Sequence, residues 1–253
     1  MKPLLRRAAD WVDLQWSALE RSLRAVAPQA RGRLLDVGCG DKPYEDWFRP
    51  FVSAYIGIEH GATFAATAAG TGTGATGRPD VVYGAGTLPF KDGSFDTVLS
   101  VQVLEHTPRP GALMAEMSRV LAPDGVLILT APFQFRLHEQ PHDYFRYSPH
   151  GLRQLCTDVG LEVFETVAQG SLWTVIGHKL NSYLALRVAR AGQLAQSMGK
   201  LGHEAPQGEG VRWWTLPLVG PGVVAIAAGA RLLDRLAADP EESLGYLVLA
   251  RHR

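Results

Sequence analysis

The residues best suited to chemistry crowd into one short stretch. His138, Glu139, His142, Asp143, Tyr144, Arg146 and Tyr147 bring imidazoles, carboxylates, phenols and a guanidinium together. An imidazole changes charge near neutral pH, so such a cluster suits proton transfer to or from a reacting group. His142 is the natural general base, with Asp143 as its orienting partner, and His106 competes for that role. The same residues allow a purely structural use, in which an Asp143–Arg146 ion pair pins a loop. A metal set built from His138, His142 and His150 is the poorer reading, because no cysteine or carboxylate completes a recognisable group of ligands.

A second constellation suits binding. Leu34-Leu35-Asp36-Val37-Gly38-Cys39-Gly40-Asp41 is a short apolar run that meets two closely spaced glycines. Gly38 and Gly40 lack a Cβ, so the chain can turn sharply there and a ligand can approach the main chain. Glu59 closes the next apolar run, Ala54-Tyr55-Ile56-Gly57-Ile58. At the end of a second strand its carboxylate can accept hydrogen bonds from two ribose hydroxyls. That geometry fits any adenosine-bearing ligand, and NAD and S-adenosylmethionine both remain open on these residues. The plain alternative for Glu59 is an exposed strand-end carboxylate.

Both constellations need a scaffold that carries strand ends to one edge. Beyond the first two strands, Asp80–Tyr83, Phe95–Val101, Val126–Thr130, Leu161–Val167 and Leu244–Ala250 read as five more. The run Val126-Leu127-Ile128-Leu129 has no polar alternation, which marks a strand buried on both faces and hence a mostly parallel sheet between helices. Helical cover is expected over residues 4–27, where Val12, Trp16, Leu19, Leu23 and Val26 form one apolar stripe. A helix capped by Asp41, with Pro43 in its first turn, should follow the glycine turn. Further helices are expected at Pro110–Leu121 and from Ser148-Pro149 to Gly160. The Gly/Ala/Thr stretch of residues 60–79 reads as a surface loop.

The 253 residues suit one α/β domain with elaborations, and 46% hydrophobic residues suffice for a large core. Lys+Arg and Asp+Glu both number 25, which removes the usual electrostatic footprint of a nucleic-acid binder. Two cysteines, Cys39 and Cys156, provide no disulfide framework and fit a reducing cytoplasm. The N-terminal residues lack an apolar targeting core, so a cytoplasmic location is expected.

Residues between the sixth and seventh strands exceed ordinary loop lengths and must carry structure of their own. Residues 171–198 read as helical. Trp213-Trp214 then precede a charge-free run from Thr215 to Ala230, interrupted by Pro217 and Pro221. A spanning helix needs about 20 apolar residues, so this run reads as too short and too broken to cross a membrane. Adjacent tryptophans with flanking arginines do suit the inner face of a membrane, a peripheral contact through residues 211–236. A buried helical cap or a homodimer contact are the alternatives.

Four blocks decide among the ligands. Leu34 to Gly40, Leu88-Pro89-Phe90-Lys91-Asp92-Gly93-Ser94-Phe95-Asp96, Val103-Leu104-Glu105-His106 and Arg119-Val120-Leu121-Ala122-Pro123-Asp124-Gly125 resemble the class I S-adenosylmethionine-dependent methyltransferases. The closest likeness is to the subgroup called type 11, over residues 33–167. His142 to Pro149 also resembles a block in members that look like modifiers of glycans and other metabolites. The resemblance implies a Rossmann-like seven-stranded, mostly parallel sheet with its last strand antiparallel, and S-adenosyl-L-methionine as cofactor. It implies that Asp36, Gly38 and Gly40 line the methionine end, that Glu59 takes the ribose, and that Leu88 and Gln102 complete the pocket, the adenine itself being left to backbone groups, Thr87 or packing. The acid that related sequences place before Leu-Pro-Phe, as an adenine partner, is absent from Tyr83-Gly84-Ala85-Gly86-Thr87.

The expected protein is therefore a single methyltransferase domain. Residues 1–30 cover it, 31–169 bind cofactor, 170–243 form a helical insertion and 244–253 supply the last strand. The expected reaction is O-methylation of a glycan, lipid-linked or secondary-metabolite hydroxyl, with His138, Tyr144, Arg146 and Tyr147 facing the acceptor. A non-catalytic cofactor-binding or membrane-surface scaffold is the alternative. A nicotinamide-dependent dehydrogenase ranks lower, since it has no use for the second and fourth blocks.

Overall fold

Alternation along the strands explains the layers. In β1 (Arg33–Val37) Leu35 and Val37 point to one side of the sheet and Leu34 to the other. β4 (Phe95–Val101) divides in the same way, Val98 against Leu99. Each side then needs its own apolar cover. α3 (Pro110–Val120) and α4 (Pro149–Asp158) supply Met114, Met117, Leu152 and Cys156 to the first. α1 (Leu14–Val26) supplies Leu19, Leu23 and Val26 to the second. The computed structural model describes residues 10–61, 79–84, 86–189 and 212–253. The loop expected at residues 60–79 falls almost wholly outside these, as do Ala85 and the end of the helix expected at 171–198.

The other strands are β2 (Ala54–His60), β3 (Val81–Tyr83), β5 (Leu121–Pro132), β6 (Leu161–Ala168) and β7 (Gly245–His252). Their order is β3-β2-β1-β4-β5-β7-β6, with β7 alone running against its neighbours. Chain direction switches from one half of the sheet to the other between β1 and β4, where open α/β sheets bind ligands at the carboxyl edge. The Rossmann-like arrangement expected from the sequence is present.

Local chemistry sets most boundaries. Asp13 caps α1 by accepting the Trp16 N–H at 3.0 Å, and Ser148 caps α4 by accepting that of Gly151 at 3.1 Å. Asp41 does not cap the helix after the glycine turn. That helix, α2 (Glu45–Phe48), is a single turn preceded by Tyr44, and Pro50 follows at once in a 3₁₀ turn. The strand expected at Val126–Thr130 begins earlier and takes in Pro123, Asp124 and Gly125. β5 starts at Leu121, paired with Phe95 across an irregularity in register.

The insertion between β6 and β7 contains α5 (Leu172–Tyr183) and α6 (Leu216–Leu236). The expectation of a run too short and too broken to span is corrected here. Pro217 lies in the first turn, where a missing N–H costs nothing, and the helix continues through Pro221. Residues Pro217–Leu236 are long and apolar enough to cross a membrane by length and composition. The helix passes the charged residues because the rest of the chain satisfies them. Arg231 donates to Trp11 O and, at 2.8 Å, to Ser17 Oγ, while Asp234 accepts from the Ser171 and Thr174 hydroxyls at the start of α5. Gly177 lets the helices approach, since a Cβ there would lie 2.8 Å from that of Ala230. Outward, α6 shows Leu218, Leu232 and Leu236, with Trp214 exposed just before it.

Candidate active site

The glycine turn follows β1 directly. Gly38 and Gly40 adopt φ of 74° and 50°, the left-handed region that glycine enters without strain. A Cβ on Gly38 would lie 2.5 Å from Val103, whereas one on Gly40 would meet nothing within 4 Å. Gly38 is therefore fixed by packing, and Gly40 borders open space at the carboxyl edge.

Glu59 faces this turn. One carboxylate oxygen accepts the Gly40 N–H at 3.0 Å and the other the His60 N–H at 2.9 Å. Burial raises its pKa, while those two N–H groups oppose the rise. Each oxygen keeps a further lone pair, as a ribose diol requires. Asp36 is almost fully enclosed and accepts a 2.6 Å hydrogen bond from Tyr55. Burial pushes its carboxyl up to about 7, against the pull of that hydrogen bond. Tyr55 had no sequence signal for this task, because it reads simply as an apolar strand position.

Gln102 holds an uncommon φ of 56° just past β4 and ties its amide to Thr130 at 3.1 Å. A strained residue at a strand end is typical of a ligand site. Leu88 is buried in the core, and Thr87 beside it is exposed. The second and fourth sequence blocks meet here. Arg119 donates to Leu88 O at 3.0 Å and Phe90 O at 2.8 Å, and Glu116 accepts the Leu88 N–H at 2.8 Å.

The loop from Phe133 to Tyr147 crosses the 3₁₀ turn Leu104–His106 that follows β4. Tyr144 N–H donates to Glu105 O at 2.8 Å and Tyr147 hydroxyl to Leu104 O at 3.2 Å. Arg146 staples the loop with a bidentate pair to Asp143, 2.5 and 2.7 Å, and bonds to Phe135 O and Arg136 O. Burial alone would raise the Asp143 carboxyl, but Arg146 and the His138 N–H outweigh it and hold the pKa at about 2.

These contacts revise the expected pairings. His142 and Asp143 do not form a dyad, because Asp143 is turned inward to Arg146 while His142 is exposed beside the Tyr144 hydroxyl, 3.0 Å away. Asp143 instead lies 3.3 Å from His138 Nδ1. Tyr147 is buried against the core rather than turned to an acceptor, and Arg146 is spent on the loop. Tyr144 remains exposed. His150 lies exposed on α4, apart from the imidazoles that do converge.

Those imidazoles are His106 and His138, edge to face with ring centres 4.6 Å apart. His106 Nε2 lies 3.7 Å from Glu105 Oε1 and 3.8 Å from Glu139 Oε2, and His138 Nε2 lies 3.9 Å from Glu105 Oε1. Burial lowers His138 to about 4, reinforced by His106, and burial raises Glu105 to about 8. In the sequence Glu139 falls within the loop cluster with no role of its own, and Glu105 is signalled only by preceding His106 within a block.

The edge thus combines an adenosine-type pocket with a histidine–carboxylate cluster. Comparison with known proteins narrows the class. Residues 35–129 match one family model described as a methyltransferase domain, and residues 83–184 match a second model of the same description. Between them the two matches span residues 35–184, so the part of the chain that holds the glycine turn and the loop from Phe133 to Tyr147 is similar to methyltransferase domains. It is 39% identical over 105 residues to the "Uncharacterized methyltransferase Rv0224c" of Mycobacterium tuberculosis, covering 41% of this chain and 40% of that one. An "Uncharacterized methyltransferase" of Mycobacterium avium is 43% identical over 108 residues, covering 40% of each. The chain thus matches about two fifths of the length of these relatives. In fold it resembles an S-adenosylmethionine-dependent methyltransferase from Mesorhizobium loti, with TM-score 0.52 and 15% identity over 94% of this chain and 100% of that one. It also resembles the [4+2]-cyclase SpnF, with TM-score 0.51 and 20% identity over 94% and 81%. One fold can host different chemistries, so the site must supply the function.

Proposed function

We propose that this protein transfers a methyl group from S-adenosylmethionine to a hydroxyl oxygen of a glycan, lipid-linked or secondary-metabolite acceptor. The chain acts as one domain in the cytoplasm, with residues 170–243 as substrate cover. The observation that carries this reading is the convergence of Glu105, His106, His138 and Glu139 at the same carboxyl edge of the sheet as the glycine turn and Glu59. The residues fit the cofactor: Gly40 leaves open space, Glu59 offers lone pairs to the ribose, and Asp36 lies at the start of the turn. When bound, the sulfonium supplies an activated methyl group.

The chain's own task is positioning and deprotonation. His106 Nδ1 lies 2.7 Å from the His142 carbonyl oxygen, which can only accept, so in the neutral ring Nδ1 carries the proton and Nε2 presents a lone pair. That lone pair can take the proton of an acceptor hydroxyl, a transfer typically worth about 10²–10⁴ in rate. The Arg146 staple holds the surrounding loop in place. The test is incubation with methyl-labelled S-adenosylmethionine and a lysate divided into lipid and aqueous fractions. Label is expected in one fraction, and a chain that binds cofactor but labels nothing refutes the transfer.

Exposure of Trp214, Leu218 and Leu236 favours a second reading, in which this face rests on the inner surface of a membrane. It also suits a homodimer. Leu218→Asp combined with Leu236→Asp should abolish co-sedimentation with anionic liposomes, and a parent chain that never sediments refutes the membrane contact.

A further inference from the structure

Glu105 is fully buried, and neither carboxylate oxygen accepts a hydrogen bond from another described residue, its own N–H being the one donor beside it. A carboxylate removed from water without partners needs a proton or a cation. The side chains nearest to it turn imidazole nitrogens toward it. His106 Nε2 is a lone pair for the reason given above. His138 is placed with Nδ1 3.3 Å from the Asp143 carboxylate and 3.5 Å from an Arg146 guanidinium nitrogen, and with Nε2 toward Glu105. Imidazoles that ligate a metal are oriented in this way, one nitrogen backed by a carbonyl or carboxylate and the other facing the ion.

One ligand atom from each of Glu105, His106 and His138 lies within 4.8 Å of the others. Atoms bound at about 2.1 Å around a tetrahedral ion lie about 3.4 Å apart. The carboxylate-to-imidazole separations of 3.7 and 3.9 Å are close to that spacing. We propose that Glu105 Oε1, His106 Nε2 and His138 Nε2 form a binding site for one divalent transition-metal ion, with Glu139 beside its open position. Two imidazoles and a carboxylate favour ions such as Zn²⁺ or Co²⁺ over Mg²⁺ and Ca²⁺, which prefer oxygen shells.

Its use rests on the proposed methyl transfer; its occupancy does not. With an ion in place the His106 lone pair would be engaged, and an acceptor hydroxyl at the open position would be acidified by the ion and would give its proton to Glu139 in place of His106. The oxygen then receives the methyl group as the S–CH₃ bond breaks, leaving a neutral thioether.

The test uses the full chain, purified without a metal-affinity tag and stripped with chelator. Co²⁺ is titrated and followed by its visible absorption, then displaced with Zn²⁺. One equivalent should bind, with at least about 10-fold weaker binding in both Glu105→Gln and His138→Ala and no change in His150→Ala, a control for surface imidazoles. Far-ultraviolet circular dichroism and S-adenosylhomocysteine binding confirm that each variant is folded. Absence of one-equivalent binding, or unaltered binding in folded Glu105→Gln and His138→Ala, overturns the site. Metal binding without any methyl transfer leaves the site standing and refutes the transfer; transfer by metal-free chain leaves the transfer standing and refutes the ion's part in it.

Discussion

Replacing Glu59 by alanine is the most direct trial of the cofactor pocket. The carboxylate accepts two backbone N–H groups, those of Gly40 and His60, and is nearly buried at 9% exposure. Its loss leaves both donors without that partner. A hydrogen bond to a charged group contributes about 1.5–3 kcal/mol, but Gly40 borders open space, so water can replace the carboxylate there. A folding penalty of about 1–2 kcal/mol follows. Cofactor binding should suffer more, because two ribose hydroxyls lose a charged acceptor and the turn loses its anchor. At about 2–4 kcal/mol the dissociation constant rises about 30- to 1000-fold. Isothermal titration with S-adenosylhomocysteine reads the affinity, and urea unfolding reads the stability. A folded Glu59→Ala chain whose affinity falls by less than about 3-fold would refute the assignment of Glu59 to the ribose.

The glycines and Asp36 offer two further trials. Gly40→Ala should cost only about 1–2 kcal/mol, the penalty of a left-handed residue, yet weaken cofactor binding well beyond that by filling open space, whereas Gly38→Ala should destabilise more through its clash with Val103. Thermal melts with and without S-adenosylhomocysteine separate these outcomes, and equal effects on stability would contradict the distinction. Because burial raises Asp36 from 3.8 to about 7, its folded form prefers the proton. Its contribution is complete below pH 3.8 and is lost as pH rises through about 7. Urea unfolding of the parent and Asp36→Asn chains across that window should show a flatter pH dependence in the variant.

Much of the sheet was legible because strand patterning is local. Val126 to Thr130 announces a doubly buried strand, and Ser148-Pro149 starts a helix through contacts within a few residues. Legibility failed where the outcome depended on distant neighbours. The run from Thr215 to Ala230 reads as too short and too broken to span, but Arg231 reaches Trp11 and Ser17 and one helix continues to Leu236. His142 and Asp143 read as a dyad because they are adjacent. In the loop their side chains diverge, Asp143 inward to Arg146 and His142 outward.

By itself the sequence determined the α/β class, the glycine turn and the acidic strand end, since each rests on residue type and short-range spacing. Only the tertiary structure decided which titratable groups share a site. Glu105 and His138 come from different loops, and sheet order with the Arg146 staple brings them together. Burial then sets their protonation, driving the carboxyl up and the imidazole down. Neither distance nor dielectric environment is a property of a residue alone, and the chemistry of this edge depends on both.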